Sequence, residues 1–288
     1  MTTSAAALRR LITQPVPTIV PLVLDPLSAV TAEAVGFKAL YLGGGTMGYV
    51  KTSTEAHLSV TQMCQALTEI RAACTLPIIL DGQCGWGDAM HMHHTIRIAE
   101  ATGAAAIEIE DQLMPKRVHH HVGIEHLIPA EHMVEKIRVA VAARRDPDFM
   151  LIARTNACRT DTLDEAVRRA EAYRKAGADM LFLLPKDPEQ ARAIGERVEG
   201  PLFYMMLGGP QSMGMTTEEL GALGYRLLID AITPFYARNK ALRLCYEALA
   251  RGEADPLIGN SYSEETENVH DLIGLPALLD IERRTVER

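Results

Sequence analysis

Four stretches of this chain, AVGFKALYL, ATGAAAIEI, KAGADMLFL and ALGYRLLID, share one pattern: a glycine, then an apolar triplet beginning four residues later. A glycine that closes a helix accepts the left-handed backbone other residues resist, and a short apolar run after it reads as a buried strand. Four more apolar runs, PTIVPLVL, LPIILD, FMLIART and PLFYMML, lie between them, and helical patterns such as PAEHMVEKIRVAVAARR and TLDEAVRRAEAYRKAG follow the strands. Eight continuous apolar strands alternating with amphipathic helices require a parallel sheet covered on its outer face. Spread over about 250 residues, that is the size of a closed (β/α)8 TIM barrel of the α/β class. A doubly wound open sheet would want a glycine fingerprint at the first strand, and PLVLDPLSAV has none. Residues 1–252 are expected to form this barrel. Residues 253–288 should form a C-terminal tail with a short leucine-faced helix that packs on the barrel or on a neighbouring subunit.

Composition narrows the function. At 48% hydrophobic residues the chain of 288 can bury a large core, yet its longest apolar runs, Pro77 to Leu80 and Met180 to Leu184, fall far short of a bilayer span. The Arg9-Arg10 start lacks an apolar signal core, so a cytoplasmic protein with no membrane partner is expected. Five cysteines without CxxC or Cys/His spacing argue against a disulfide framework and a structural zinc site. A net charge of −8 with no basic run gives no footprint for nucleic acid.

In such a barrel the reacting groups come from the C-terminal ends of strands. Strand two ends in Gly43, Gly44 and Gly45, strand three in Asp81 and Gln83, strand four in Glu108, Glu110 and Asp111, and strand five in Arg154 and Asn156. Alternation along a strand lets Asp81 with Gln83, and Glu108 with Glu110, point to one side. The glycine run is expected to expose backbone N–H groups that cradle an oxyanion. Carboxylates and an amide are hard oxygen ligands suited to Mg2+ (or Mn2+), and an adjacent arginine suits a substrate carboxylate. A single strand-end acid is more often a helix cap, and Arg154 read alone is equally a structural partner for buried acids. Convergence of these groups at one face favours the functional reading.

The segments YLGGG, PIILDGQCGWG, IEIEDQLMPKR, DPDFMLIARTNA, LDEAVRRAEAYRKAGADMLF and ITPFYARNKA resemble, in order, the isocitrate lyase and phosphoenolpyruvate mutase superfamily, over about residues 5 to 250. The resemblance implies a (β/α)8 barrel, a homotetramer (a dimer of dimers) whose last barrel helix is exchanged between neighbours, and Mg2+ bound with a small 2-oxo carboxylic acid or its enolate. It implies Asp81 as direct metal ligand, Gln83, Glu110 and Glu55 in the metal shell, and Tyr41, Gly43, Gly44, Trp86, Arg154 and Asn156 around the substrate. Arg154, Lys116 and His120 are its candidates for catalysis. QCGWG is then a metal loop and not a thiol-protease nucleophile.

Departures from the family pattern are as informative. Gln83 stands where most members have a second Asp, which removes a charge from the metal shell. K-R-V-H-H, residues 116–120, replaces the K-[KR]-C-G-H loop of the isocitrate-type lyases, so Val118 stands where the catalytic cysteine would be. Lys116 matches the mutase and hydrolase branch. Leu184, Met205 and Leu207 replace polar contacts on strands six and seven, giving an apolar wall. His91, His93 and His94, like His119, His120 and His121, are read as solvated rather than metal-ligating, with one of the latter three as the acid or base that replaces the cysteine. The expected function is Mg2+-dependent C–C lyase chemistry, retro-aldol or decarboxylating, on a small 2-hydroxy or 2-oxo acid. Phosphonopyruvate hydrolase or mutase chemistry and a non-catalytic oxo-acid-binding barrel are the alternatives.

Overall fold

A computed structural model describes residues 3–286. The chain opens with α1 (Ser4–Ile12), β1 (Thr18–Pro21), α2 (Pro26–Ala34), β2 (Leu40–Leu42), α3 (Gly44–Val50), α4 (Val60–Ala73), β3 (Ile78–Asp81) and α5 (Ala89–Ala101). It continues with β4 (Ala106–Glu110), α6 (Ala130–Ala143), β5 (Met150–Thr155), α7 (Ala157–Thr160), α8 (Leu163–Lys175), β6 (Met180–Leu183) and α9 (Pro188–Arg197). β7 (Leu202–Met206), α10 (Thr217–Ala222), β8 (Tyr225–Asp230), α11 (Thr233–Ala250), α12 (Tyr262–Leu272) and α13 (Leu275–Thr285) complete it.

The eight strands pair in the order β1-β8-β7-β6-β5-β4-β3-β2, all parallel, and a single bridge from Leu22 to Tyr41 joins the two ends of this nearly closed ring. The four repeat glycines do what the pattern predicts. Gly36, Gly103, Gly177 and Gly224 have φ of +100°, +89°, +108° and +88°. An added Cβ at Gly36 or Gly224 would meet nothing within 4 Å, so backbone angle and not space reserves these positions for glycine.

Register carries the fold to the site. Residues paired across parallel strands face the same side, and Asp81 pairs with Glu108, Glu110 with Arg154, and Arg154 with Phe182. These side chains therefore line the barrel interior toward its C-terminal mouth. Beneath them Phe182 meets Phe203 edge-on at 5.2 Å and Tyr41 lies 6.3 Å from Phe203, a packed aromatic floor. At the opposite end Arg9 of α1 reaches the Asp179 carboxylate at 2.7 Å and the Asp148 carbonyl at 2.9 Å, tying α1 to the loops before β5 and β6.

Two expectations are corrected. The glycine run is not an open loop, because Gly44 starts α3. Glycine is a poor helix former, so tertiary contacts decide: Asp81 Oδ2 accepts the Gly44 N–H at 2.8 Å, and Gly48 packs so closely that a Cβ would lie 2.5 Å from the Glu55 nitrogen. The tail holds two helices rather than one, and neither α12 nor α13 buries a residue. α11 buries only Ala248, leaving Tyr236, Leu242, Tyr246 and Leu249 exposed. Among the described residues no helix is long and apolar enough to cross a membrane.

Candidate active site

Four carboxylates converge at the mouth. Asp81 ends β3 with both oxygens oriented by backbone, Oδ2 by Gly44 N–H and Oδ1 by Gln83 N–H at 2.9 Å. Glu108 Oε1 accepts from Arg154 Nη1 at 2.9 Å and Oε2 from the Tyr41 hydroxyl at 3.1 Å. Glu110 Oε2 accepts from Gln112 at 3.1 Å and Asn156 at 3.2 Å, while Oε1 takes the Lys116 ammonium. Glu55 arrives from the loop after α3, its Oε1 2.8 Å from Lys116 Nζ. All four are buried or nearly so: Glu55 is 5% exposed, and Glu108 and Glu110 are each 1% exposed.

Charge is unevenly answered in this ring. Burial pushes the Glu108 carboxyl up to about 7 despite Arg154, and burial also raises Asp81. At Glu110 burial works the same way, but Lys116 and Arg154 outweigh it and hold the group at about 2. Burial disfavours the Lys116 cation, yet Glu110 and Glu55 hold its pKa above the ordinary lysine range. The ammonium thus bridges two carboxylates. Arg154 engages Nε with Asn156 Oδ1 at 2.9 Å and stacks 5.1 Å over Phe182, while its Nη2 has no protein partner among the described residues.

The segment after β4 folds over this ring with a 3-10 turn at Val118–Val122. Here the reading of the histidines is corrected for two of them. His120 Nε2 lies 2.6 Å from Glu55 Oε1, and His121 bonds Tyr49 through Nδ1 at 2.9 Å and Thr54 through Nε2 at 2.7 Å. Glu55, His120 and His121 each offer a ligand atom within 4.8 Å of the others, a cluster capable of coordinating a divalent metal. His91 instead caps α5 beside Asp88, and His93 and His94 stay exposed. His119 pairs with His126 at 2.9 Å.

Cys84 is fully buried, with Sγ 3.8 Å from Glu110 Oε1, and burial together with Glu110 pushes its thiol far up, away from the thiolate. Native alkylation at pH 8 should therefore spare Cys84, and Cys84→Ser should turn over at wild-type rate; rapid labelling with loss of activity would restore the nucleophile reading. Trp86 donates Nε1 to the Leu58 carbonyl at 2.8 Å, which fixes the loop and leaves it no free donor for a ligand. The Gly44 N–H is likewise taken by Asp81, and Gly43 caps α3. Val118 is 53% exposed. Leu184 is 2% exposed and continues the inward side of β6, but Leu207, expected in the same wall, is 55% exposed. Gln83 is buried beside Gly44 at φ +49°, its Nε2 without a partner. The sequence reading overlooked Gln112 and also Glu125, whose Oε2 accepts from Asn156 at 3.3 Å. Gln112 lies two residues past Glu110, so alternation points to it; Glu125 carries no such signal.

Comparison with known proteins agrees with this architecture. The profile of the family described as phosphoenolpyruvate phosphomutase matches residues 8–250. The 2,3-dimethylmalate lyase of Eubacterium barkeri is 33% identical over 282 residues, 97% of each chain. The solved phosphoenolpyruvate phosphomutase of Streptomyces platensis subsp. rosaceus superposes with a TM-score of 0.90 at 29% identity, covering 98% of this chain and 99% of that one. Phosphonopyruvate hydrolase in complex with oxalate and Mg2+ superposes with a TM-score of 0.85 at 26% identity over 99% of both chains. With an eight-stranded parallel barrel, a mouth of buried carboxylates and these likenesses across nearly its whole length, the chain belongs to the phosphoenolpyruvate mutase and isocitrate lyase superfamily and is an enzyme of it.

Proposed function

We propose that the enzyme is a Mg2+-dependent lyase that cleaves the C–C bond beside the carbonyl or carbinol of a small 2-oxo or 2-hydroxy acid. One observation carries the reading: among the described residues, three strand-end carboxylates, Asp81, Glu108 and Glu110, and Glu55 from the loop after α3 face two fixed cations, Lys116 and Arg154. That surplus of negative charge, made of hard oxygen donors with Glu55 Oε2 left unpartnered, fits Mg2+ or Mn2+. Asp81 would hold the ion, with Glu110, Glu55 and Gln83 around it. When bound, the ion supplies a Lewis acid that stabilises the enolate left by bond cleavage.

The chain's own groups do the rest. Arg154, fixed through Nε and Nη1, presents Nη2 to a substrate carboxylate. Tyr41 and Glu108 hold that guanidinium in place from below. Lys116 stays protonated and serves as a cation rather than a base. His120, whose Nε2 faces Glu55, is the group placed to move a proton in a segment where Val118 can supply none. Leu184 and Met205, two residues on from the floor residues Phe182 and Phe203, put apolar side chains where relatives carry polar contacts and suit a less polar substrate half.

A screen of substituted malates and of oxaloacetate under saturating Mg2+ tests the proposal, with His120→Ala compared across pH. Product formation with an altered pH–rate profile in the variant supports it; an unchanged profile removes His120 from proton transfer. The position of Lys116 between Glu55 and Glu110 favours a second reading, phosphonopyruvate P–C chemistry, which phosphate release from phosphonopyruvate would establish. We also infer that the barrel domain ends near residue 252 and that the protein is a homotetramer exchanging α11 between neighbours. The supports are the exposed apolar face of α11 and a groove of ≈ 690 Å3 lined by Leu27, Val35, Phe37 and Pro234.

A further inference from the structure

We propose that Glu55, His120 and His121 form a second metal site, selective for a transition-metal dication of the zinc type over magnesium, whose occupancy fastens the 116–122 segment over the barrel mouth. Two imidazoles with one carboxylate are a borderline-soft donor set, which favours Zn2+, Co2+ or Ni2+, whereas Mg2+ prefers an all-oxygen shell.

The unpartnered atoms carry the inference. His120 gives its Nδ1–H to the Arg117 carbonyl at 2.6 Å, so the other ring nitrogen of the neutral imidazole, Nε2, bears the lone pair. That nitrogen lies 2.6 Å from Glu55 Oε1, buried and out of line for a hydrogen bond. Glu55 raises the His120 pKa, so in the metal-free protein a proton on that ring answers the carboxylate together with Lys116, 2.8 Å from the same Oε1, and a dication would displace the proton. Glu55 Oε2 is also buried without a partner, 3.7 Å from His121 Nε2. Bonds of about 2 Å to a common ion bring ligand atoms to within about 4 Å of one another, so small side-chain rotations gather this set.

The surroundings suit ligation. Tyr49 OH lies 2.9 Å from His121 Nδ1 and can accept its proton, which fixes the ring and leaves Nε2 for the ion in place of its bond to the Thr54 hydroxyl. Lys116 stands between Glu55 and Glu110, so Glu55 is the one residue this site shares with the proposed Mg2+ shell, while Asp81 belongs to the Mg2+ site alone. Because Glu55 follows α3 and the histidines belong to the segment after β4, one ion ties the two loops together. It would also occupy the His120 lone pair and so inhibit turnover, although the site itself does not rest on the lyase reading.

The test is titration of the full-length protein with Co2+ in excess Mg2+, followed by visible d–d absorption, with Zn2+ as competitor. The expected result is one Co2+ per chain that excess Mg2+ does not remove and Zn2+ displaces. Asp81→Asn should retain it, Tyr49→Phe should weaken it by about 10–100-fold, and His121→Asn should weaken it further. Absence of Co2+ binding to the wild type overturns the proposal. So does binding that survives both His121→Asn and Tyr49→Phe, or that disappears in Asp81→Asn, which would put the ion among the carboxylates. Tyr49→Phe leaves every ligand in place, so the proposal stays exposed to refutation even where His121→Asn perturbs the loop.

Discussion

Arg154→Met should lose about 3–5 kcal/mol of stability and nearly all turnover. Among the described residues the guanidinium is the only cation bonded to Glu108 and one of two beside Glu110, and both acids are 1% exposed. Methionine keeps the apolar contact with Phe182 but leaves Glu108 with the Tyr41 hydroxyl alone. Removing one member of a buried pair costs more than the pair contributes, because the remaining charge stays desolvated. Glu108, already raised to about 7 by burial, should then bind a proton more tightly still. Denaturant unfolding at pH 8 and steady-state kinetics check the two parts separately. A stable variant with an unchanged KM and rate would show that Arg154 neither balances the acids nor holds substrate.

Lys116→Met should separate the roles of cation and catalyst in a different way. With its ammonium gone, Glu110 keeps Arg154 at 3.5 Å and Glu55 keeps His120 at 2.6 Å, but the cation shared between them is lost, at about 3–5 kcal/mol in metal-free buffer. A dication no longer competes with the ammonium there, so Mg2+ should bind the variant more tightly and return about 2.7 kcal/mol at a hundred times Kd. Thermal denaturation across a Mg2+ series should therefore give a steeper rise in Tm for the variant than for the wild type, while turnover stays lost. Equal Mg2+ dependence in both proteins would place the ion away from Glu55 and Glu110.

Much of this was legible because it is periodic. All eight strands follow from apolar runs, four of them led by a helix-closing glycine, and the inward acids follow from alternation at strand ends and from register. What lay hidden depends on contacts between distant positions. α3 forms at three glycines because Asp81 orients the Gly44 N–H and the Glu55 backbone crosses Gly48, neither of which local propensity reports. His120 and His121 looked solvated because a loop has no period; their partners Glu55, Tyr49 and Thr54 lie in another segment. Glu125 was missed for the same reason. The residues singled out from strand ends, Asp81, Glu108, Glu110, Arg154 and Asn156, are brought together at one mouth, whereas Trp86 is engaged elsewhere.

Calorimetric titration of Mg2+ into the wild type and Asp81→Asn, with and without oxalate as a planar enolate mimic, tests the central claim most directly. The account predicts oxalate binding to the wild type only when Mg2+ is present, and loss of both in Asp81→Asn. Oxalate binding that is indifferent to Mg2+, or Mg2+ binding undiminished by Asp81→Asn, would contradict it.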